Sequence, residues 1–225
     1  MNNFIKKVGK ILLLTLLLIF LLGSSLNMLL RLPIVQKYVV DKTTAFLSNE
    51  LKTTVKIEEV SLALFDKVVF KDFYVEDQAG HALIFAKYLE ANFNTGLWAL
   101  LQKRLELNEI TLRNAQLNTK RPYGQLYDNL QFIVDYFEQR QKIRPPGKKP
   151  GNFVFNIKKV LLYDFSYNRY DELKGLDLQT NIDRGILDFH EISIPYLRFN
   201  AKSVRLDEPS VLVRNFMPPQ LPISF

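Results

Sequence analysis

The chain of 225 residues contains no cysteine, only two histidines and a single tryptophan. Without cysteine it can form no disulfide, no thiolate zinc site and no lipid-modified thiol. His81 and His190 have no carboxylate at the spacing that metal ligands need. The sequence therefore predicts no metal site and no cofactor.

Signature motifs of common enzyme classes are also missing. The chain has no G-x-S-x-G, no G-x-x-x-x-G-K-S/T, no G-x-G-x-x-G and no H-E-x-x-H. Adjacent acidic residues on a strand point to opposite faces, so acidic pairs predict solvated charges rather than an acid–base site. The pairs are Glu58-Glu59, Asp171-Glu172 and Asp207-Glu208. We therefore do not expect an enzyme.

Positive charge exceeds negative charge without forming a basic patch. The net charge is +7 and the isoelectric point is near 9.4. Lysine and arginine are spread along the chain instead of lying on one predicted helix, so nucleic acid is not an expected partner.

An uncharged apolar run near the N-terminus predicts a membrane anchor. Residues 11–30 carry no charge and follow Lys6, Lys7 and Lys10. A helix of that length covers about 30 Å, the thickness of a bilayer hydrocarbon core. The preceding lysines predict a cytoplasmic N-terminus, with the remainder of the chain on the far side of the membrane.

A cleaved signal peptide is the alternative to an anchor. Residues 11–22 resemble its apolar core, and residues 23–25 are small enough for a signal peptidase. We favour the anchor because the apolar run continues to residue 30. Both alternatives export the bulk of the chain.

The next segment has the spacing of an amphipathic helix. Pro33 suits a first helical turn, and Val35, Tyr38, Val39 and Phe46 follow helical spacing opposite polar residues. Such a helix lies on the membrane surface or caps the end of a sheet, and we favour the cap because its polar face is not strongly basic.

A pattern of twelve residues occurs four times in the remaining chain. Each copy has an apolar residue, two mostly polar residues, an apolar-x-apolar triplet, two further residues, a second such triplet and a polar end. This pattern indicates a degenerate structural repeat. The copies are FDKVVFKDFYVE at 65–76, LNEITLRNAQLN at 107–118, IKKVLLYDFSYN at 157–168 and FHEISIPYLRFN at 189–200.

Each copy has the alternation of a β-strand, but the parity of its apolar positions changes twice. In the second copy it changes between Leu107 and Ile110, and again between Leu112 and Ala115. A strand that keeps one face dry needs a β-bulge or a sharp bend at each change. Four such strands predict a strongly curved sheet.

The other segments complete the predicted organisation. Residues 96–102 predict a helical turn, residues 125–139 an amphipathic helix, and the proline- and glycine-rich residues 143–152 a linker. The predicted regions are a cytoplasmic stub and transmembrane anchor at 1–31, the amphipathic helix at 32–52, an N-terminal β-groove with helical inserts at 53–142, the linker loop at 143–152, and continuing β-repeats at 153–225.

In this order of segments the chain resembles the N-terminal region of TamB-type proteins, in the AsmA-like family of bacterial inner-membrane-anchored proteins, in the variety found in Bacteroidetes-like bacteria. The resemblance rests on the anchor and the segments LPIVQKYVVDKTTAFLSNEL, VKIEEVSLALF, GLWALLQ, LELNEITLRNAQLNTKRP and NLQFIVDYF, and covers residues 11–137. Because members of this family are usually several times longer, we expect the chain to be a fragment or the base of a larger assembly.

The resemblance implies a fold of mainly β with α: a transmembrane helix, a capping helix and a curved antiparallel, taco-like β-groove of bulged strand repeats. It also implies a single-pass inner-membrane anchor with the bulk of the chain in the periplasm. The implied function is binding of phospholipid acyl chains and transport of lipid toward the outer membrane. The alternative function is a structural or interaction module in outer-membrane protein translocation and assembly, with an outer-membrane assembly barrel protein as partner.

The apolar pairs of the repeats are the candidate lipid-groove residues. On a curved sheet they would line the concave face, either as an open groove for acyl chains or as part of a filled core. These residues are Val68, Phe70, Ile110, Leu112, Val160, Leu162, Ile192 and Ile194.

Overall fold

The structure is a computed structural model that describes residues 13–15, 17–18, 21, 25, 32–63, 66–94, 104–142, 154–193 and 198–218. Most of the predicted anchor, the predicted helical turn at 96–102 and the predicted linker at 143–152 lie outside these residues. Within the part that is described, no helix has both the length and the apolarity that a membrane crossing requires.

Two helices have both of their ends among the described residues. Helix α1 spans Pro33–Leu51, with Pro33 in its first turn and Lys52 in the left-handed conformation at its C-terminal end. This confirms the helix predicted at 32–52. Helix α2 spans Gln131–Lys142, so it begins later than the predicted residue 125, because turns occupy the chain between Pro122 and Leu130.

In the part of the chain that the structure describes, nine strands form one open, curved sheet. They are β1 Val55–Lys56, β2 Glu59–Ala63, β3 Lys67–Glu76, β4 Ala82–Phe93, β5 Arg104–Arg121, β6 Val154–Asp171, β7 Leu176–Ser193, β8 Arg198–Asp207 and β9 Ser210–Asn215. Their order is β1-β3-β4-β5-β6-β7-β8; β2 follows β1 along the free edge of β3, and β9 follows β8 along the far edge of β7.

The prediction of an antiparallel groove was wrong at the centre of the sheet. β5 and β6 pair in parallel, with Arg104 opposite Val154 and Arg121 opposite Asp171. Parallel neighbours need a crossover of a dozen or more residues, and residues 122–153 supply one that contains α2. The second and third copies of the repeat therefore lie side by side, with Ile110 opposite Val160.

The fourth copy of the repeat does not form a single strand, which corrects the sequence prediction. β7 ends at Ser193, β8 begins at Arg198, and these two residues face each other in an antiparallel pair. The chain therefore reverses its direction within residues 189–200.

A crease crosses the sheet where the parity of the apolar positions was predicted to change. Asp72 in β3, Asn114 in β5 and Asp164 in β6 occupy the eighth position of their repeat copies and have positive φ, between 46° and 51°. Register is the same on both sides of these residues, so the crease is a bend and not an insertion. Asparagine and aspartate tolerate this conformation better than most residues.

At the crease, residues with positive φ occur in strands of one direction and not in the strands that run the opposite way. Glu208, between β8 and β9, also has positive φ, at 49°, and β8–β9 runs in the same direction as β3, β5 and β6. The oppositely directed strands β4 and β7 meet the crease at Lys87 and Asp183, which do not have positive φ. One special residue in each strand of one direction thus bends the whole sheet.

The other predicted parity change coincides with an irregularity in register. Asn92 of β4 faces Glu109 of β5, whereas Phe93 faces Leu107, so Asn108 is an extra residue in β5. This β-bulge confirms the prediction between Leu107 and Ile110.

The two faces of the sheet differ in chemistry. We call the face that carries Val68 and Phe70 the inner face. Its buried side chains form the core together with the half-buried Val39, Leu47 and Leu51 of α1. The opposite, outer face carries ion pairs such as Lys67 Nζ to Glu90 Oε1 at 2.9 Å and Lys71 Nζ to Glu59 Oε2 at 2.7 Å.

Candidate functional site

The apolar pairs of the repeats align into two rows on the inner face. Residues that face each other across successive strands form these rows, and residues two apart along a strand point to the same side. The first row contains Val68, Ala91, Ile110, Val160, Leu187 and Val204. The second contains Phe70, Leu89, Leu112, Leu162, Gly185 and Leu206. We call these two rows the apolar track.

The structure places six of the eight predicted groove residues in the apolar track. Val68 and Leu162 are buried, and Phe70, Ile110, Leu112 and Val160 are half-buried. Ile192 lies elsewhere on the inner face, buried in the core near the end of β7. Ile194 lies outside the described residues.

The sequence analysis did not predict that β4, β7 and β8 contribute residues to the track. Leu89, Ala91, Leu187, Val204 and Leu206 belong to no repeat pair. A signal was present in β4 and β8, because Leu89 with Ala91 and Val204 with Leu206 have the same two-residue spacing that the repeats use. Gly185 leaves a gap in the second row, and the side chains of Leu162 and Leu206 close around it, since a Cβ there would lie 3.2–3.3 Å from them.

The crease keeps apolar residues on the inner face in the other half of the sheet. The ring centroids of Phe70 and Phe73 are 6.0 Å apart across Asp72, and both rings pack against the same core. Phe73 begins a third row on the inner face. This row contains Phe73, Ala86, Ala115, Phe165 and Ile182.

Cover over the inner face is uneven. At the β1–β3 side, α1 packs on the core, and Val55 is 2% and Val75 1% exposed. At the β8–β9 side the inner-face side chains stay open to solvent: Val204 is 55% and Val211 60% exposed. The face is therefore a filled core at one side and an uncovered apolar surface at the other.

An ionic cluster closes the inner face at the ends of β5 and β6. Nε of Arg121 donates to Oδ1 of Asp171 at 2.9 Å, Nη2 of Arg121 donates to Oδ2, and Nη2 of Arg169 donates to Oδ2 at 3.2 Å. Asp171 is fully buried. Burial opposes ionisation, but the hydrogen bonds from Arg121, the Lys174 amide and Arg169 outweigh it and lower the pKa of Asp171 to about 2.

The position of Asp171 corrects the prediction of a solvated acidic pair. Asp171 and Glu172 do point to different partners, and Oε1 of Glu172 lies 3.2 Å from Lys120 Nζ. Adjacency in sequence gave no information on burial, because the cross-strand neighbour Arg121 supplies the counter-charge from fifty residues away.

A cleft of about 220 Å³ lies at the same end of the sheet, lined by residues that include His81, Asn118, Lys120 and Asn168. Its buried carboxylate, Asp77, accepts from the backbone N–H groups of Ala79 and His81 and from Asn129 Nδ2, each at 2.9 Å.

Oδ1 of Asp77 thus holds the turn that follows it, and Oδ2 holds Asn129 of the loop before α2. Burial opposes its ionisation, but the bonds from Asn129 and the two amides outweigh burial and lower the pKa of Asp77. A carboxylate with a lowered pKa is a weak base at neutral pH, which suits a structural role for Asp77.

Over the described ranges, no three side chains of histidine, cysteine, aspartate or glutamate come together as metal ligands would.

No protein-family model matches the chain, and no curated protein matches it in sequence.

Proposed function

We propose that the inner face binds the acyl chains of phospholipids and that the protein takes part in lipid transport toward the outer membrane. In this proposal residues 11–30 anchor the chain in the inner membrane, and the sheet is the membrane-proximal part of a taco-like periplasmic groove.

One observation carries the proposal: the apolar track crosses the sheet without a charged side chain and is uncovered at the β8–β9 side. The track runs perpendicular to the strands from β3 to β8, and neighbouring strands lie about 4.8 Å apart. An acyl chain laid along it replaces water on a surface that the protein leaves partly exposed. Each methylene group that leaves water contributes about 0.8 kcal/mol.

The resemblance to TamB-type proteins supports the same proposal, because that family implies lipid carriage on a curved apolar sheet. The charge pattern before residue 11 supports an anchor with a cytoplasmic N-terminus. The curvature at Asp72, Asn114 and Asp164 supports a groove, since a bent sheet gives its apolar face a concave side.

Native mass spectrometry with lipid extraction tests the proposal. The full chain is expressed in a Gram-negative bacterium and purified in a mild detergent. We expect co-purified phospholipid with the wild-type chain and its loss when Ile110 and Leu112 are both changed to Asp.

The control places the same change on the other face. Leu161 and Ile186 lie in neighbouring strands, opposite each other and on the outer face, and their change to Asp should leave lipid binding intact. Circular dichroism establishes that both double variants fold. A folded wild-type chain without lipid, or equal lipid loss from both double variants, contradicts the proposal.

The alternative module in outer-membrane protein assembly has its own supporting observation. The edge of β8 and β9 has no neighbouring strand among the described residues, and an open edge can pair with a client or partner chain. A lipid-free wild-type chain that co-purifies in a stable complex with an outer-membrane barrel protein would favour this function.

A further inference from the structure

The two edges of the sheet are treated differently by the fold. At the β1–β2 edge, α1 packs on short strands, and Val55, Ile57 and Val60 are each less than 9% exposed. At the other edge, β8 and β9 together form one long strand on β7, and every residue from Phe199 to Asn215 is exposed. A long exposed edge is a surface on which another strand can pair.

The exposed edge also carries the apolar chemistry of the inner face. Phe199 is 57%, Val204 55%, Leu206 37%, Val211 60% and Val213 52% exposed. Exposed apolar side chains beside unpaired backbone groups are characteristic of an interaction surface. An edge that is protected against pairing carries charged residues or is covered by another element.

The sequence of this edge is complementary to itself. When two copies are placed antiparallel about a twofold axis at the crease, Val204 faces Val213 of the other copy, and Leu206 faces Val211. All four are inner-face residues, because they oppose Leu187, Leu178, Gly185 and Thr180 of β7. The pairing thus joins apolar residues to apolar residues on one side of the sheet.

The outer-face residues fit the same register. Ser203 faces Arg214, Arg205 faces Leu212, and Asp207 faces Ser210, so no two like charges stand directly opposite each other. Like charges in that position would oppose pairing.

The residues at the crease are compatible with a twofold axis at this position. Glu208 faces Pro209 of the other copy, and proline has no backbone N–H to donate. β7 makes no ladder pair with either residue, so the ladder is already interrupted here. The carboxylate of Glu208 is exposed, and solvent screens it from its counterpart near the axis.

We propose that two copies of this chain pair through β8–β9 in this register, forming one continuous sheet with a shared inner face. Because α1 packs at the only other edge that the structure describes, the association is isologous and closes as a dimer. This proposal does not depend on lipid binding.

Native mass spectrometry and light scattering of the full chain in a mild detergent test the proposal over a range of concentrations. We expect a species with twice the 26.3 kDa mass of one chain. A chain that remains monomeric at every concentration overturns the proposal.

A charge-swap experiment tests the register. The double variant V204K/V213K places lysine opposite lysine at both symmetric positions, and we expect its dissociation constant to rise by about tenfold or more. The double variant V204K/V213E places opposite charges there, and we expect it to recover the dimer. Both positions are more than half exposed, so the substitutions should leave the fold intact, and circular dichroism checks this.

A matched control distinguishes this edge from other apolar surfaces. Ile34 and Tyr38 of α1 are 83% and 62% exposed, and I34K/Y38K should leave the dimer unchanged. If V204K/V213K stays dimeric, if V204K/V213E dissociates equally, or if the α1 variant alone dissociates, the proposed interface is wrong.

Discussion

Replacing Asn114 by Val tests whether the crease depends on residues that tolerate positive φ. Asn114 has φ 46° and an exposed side chain in β5. The left-handed conformation costs an ordinary L-residue about 1–2 kcal/mol, and it is a true outlier for a β-branched one. In a chain of this size 1 kcal/mol shifts the unfolding temperature by about 2–4 °C. We therefore expect N114V to lower that temperature by about 2–8 °C, measured by circular dichroism.

The same row of the sheet supplies the control. Lys87 is also exposed and lies at the crease in β4, but it does not have positive φ. Because Val has a higher strand propensity than Lys, K87V should leave the unfolding temperature unchanged or raise it slightly. N114G should cost little, because glycine adopts positive φ freely. If N114V unfolds at or above the wild-type temperature, strand propensity decides at this position and the reasoning is refuted.

Other predictions concern the ends of the sheet. Since the folded pKa of Asp171 is about 2, against an ordinary 3.8, its ionisation contributes about 2 kcal/mol, which is present above pH 4 and lost as the pH falls toward 2. D171N should flatten this acid limb in urea titrations at several pH values, and an unchanged limb would contradict the pairing with Arg121. G175A should lower the unfolding temperature more than G80A: both glycines have positive φ, but only at Gly175 would the new Cβ collide with the Phe216 carbonyl oxygen. Equal losses would show that the collision is relieved.

The sequence predicts the curved strands well because a dry face imposes a strict rule on apolar positions. The parity change after Phe70, Leu112 and Leu162 coincides with the crease, and the eighth position of these copies holds Asp or Asn. In the fourth copy that position is Tyr196, a departure that could have separated it from the other three. The residue types within each copy thus indicate the position of the bend as well as the strand.

The apolar pattern does not predict the direction in which neighbouring strands run or the partners of charged side chains. The pattern of β5 and β6 is identical for parallel and antiparallel pairing, and only the length of residues 122–153 indicates a crossover. Asp171 is buried because β6 meets β5 in a register that brings Arg121 beside it. The inner face is open at β8–β9 because α1 packs at the other side of the sheet. The apolar pattern of the sequence does not show which part of the face a helix will cover.

Photo-crosslinking in growing cells tests the central claim, that the inner face carries lipid, most directly. A benzophenone amino acid is placed at Leu112, on the inner face of β5, or at Leu161, on the outer face of β6, and the adducts are identified by mass spectrometry. We predict phospholipid adducts at Leu112 and few or none at Leu161. Adducts to protein alone at Leu112, or equal lipid labelling at both positions, would contradict acyl-chain binding on this face.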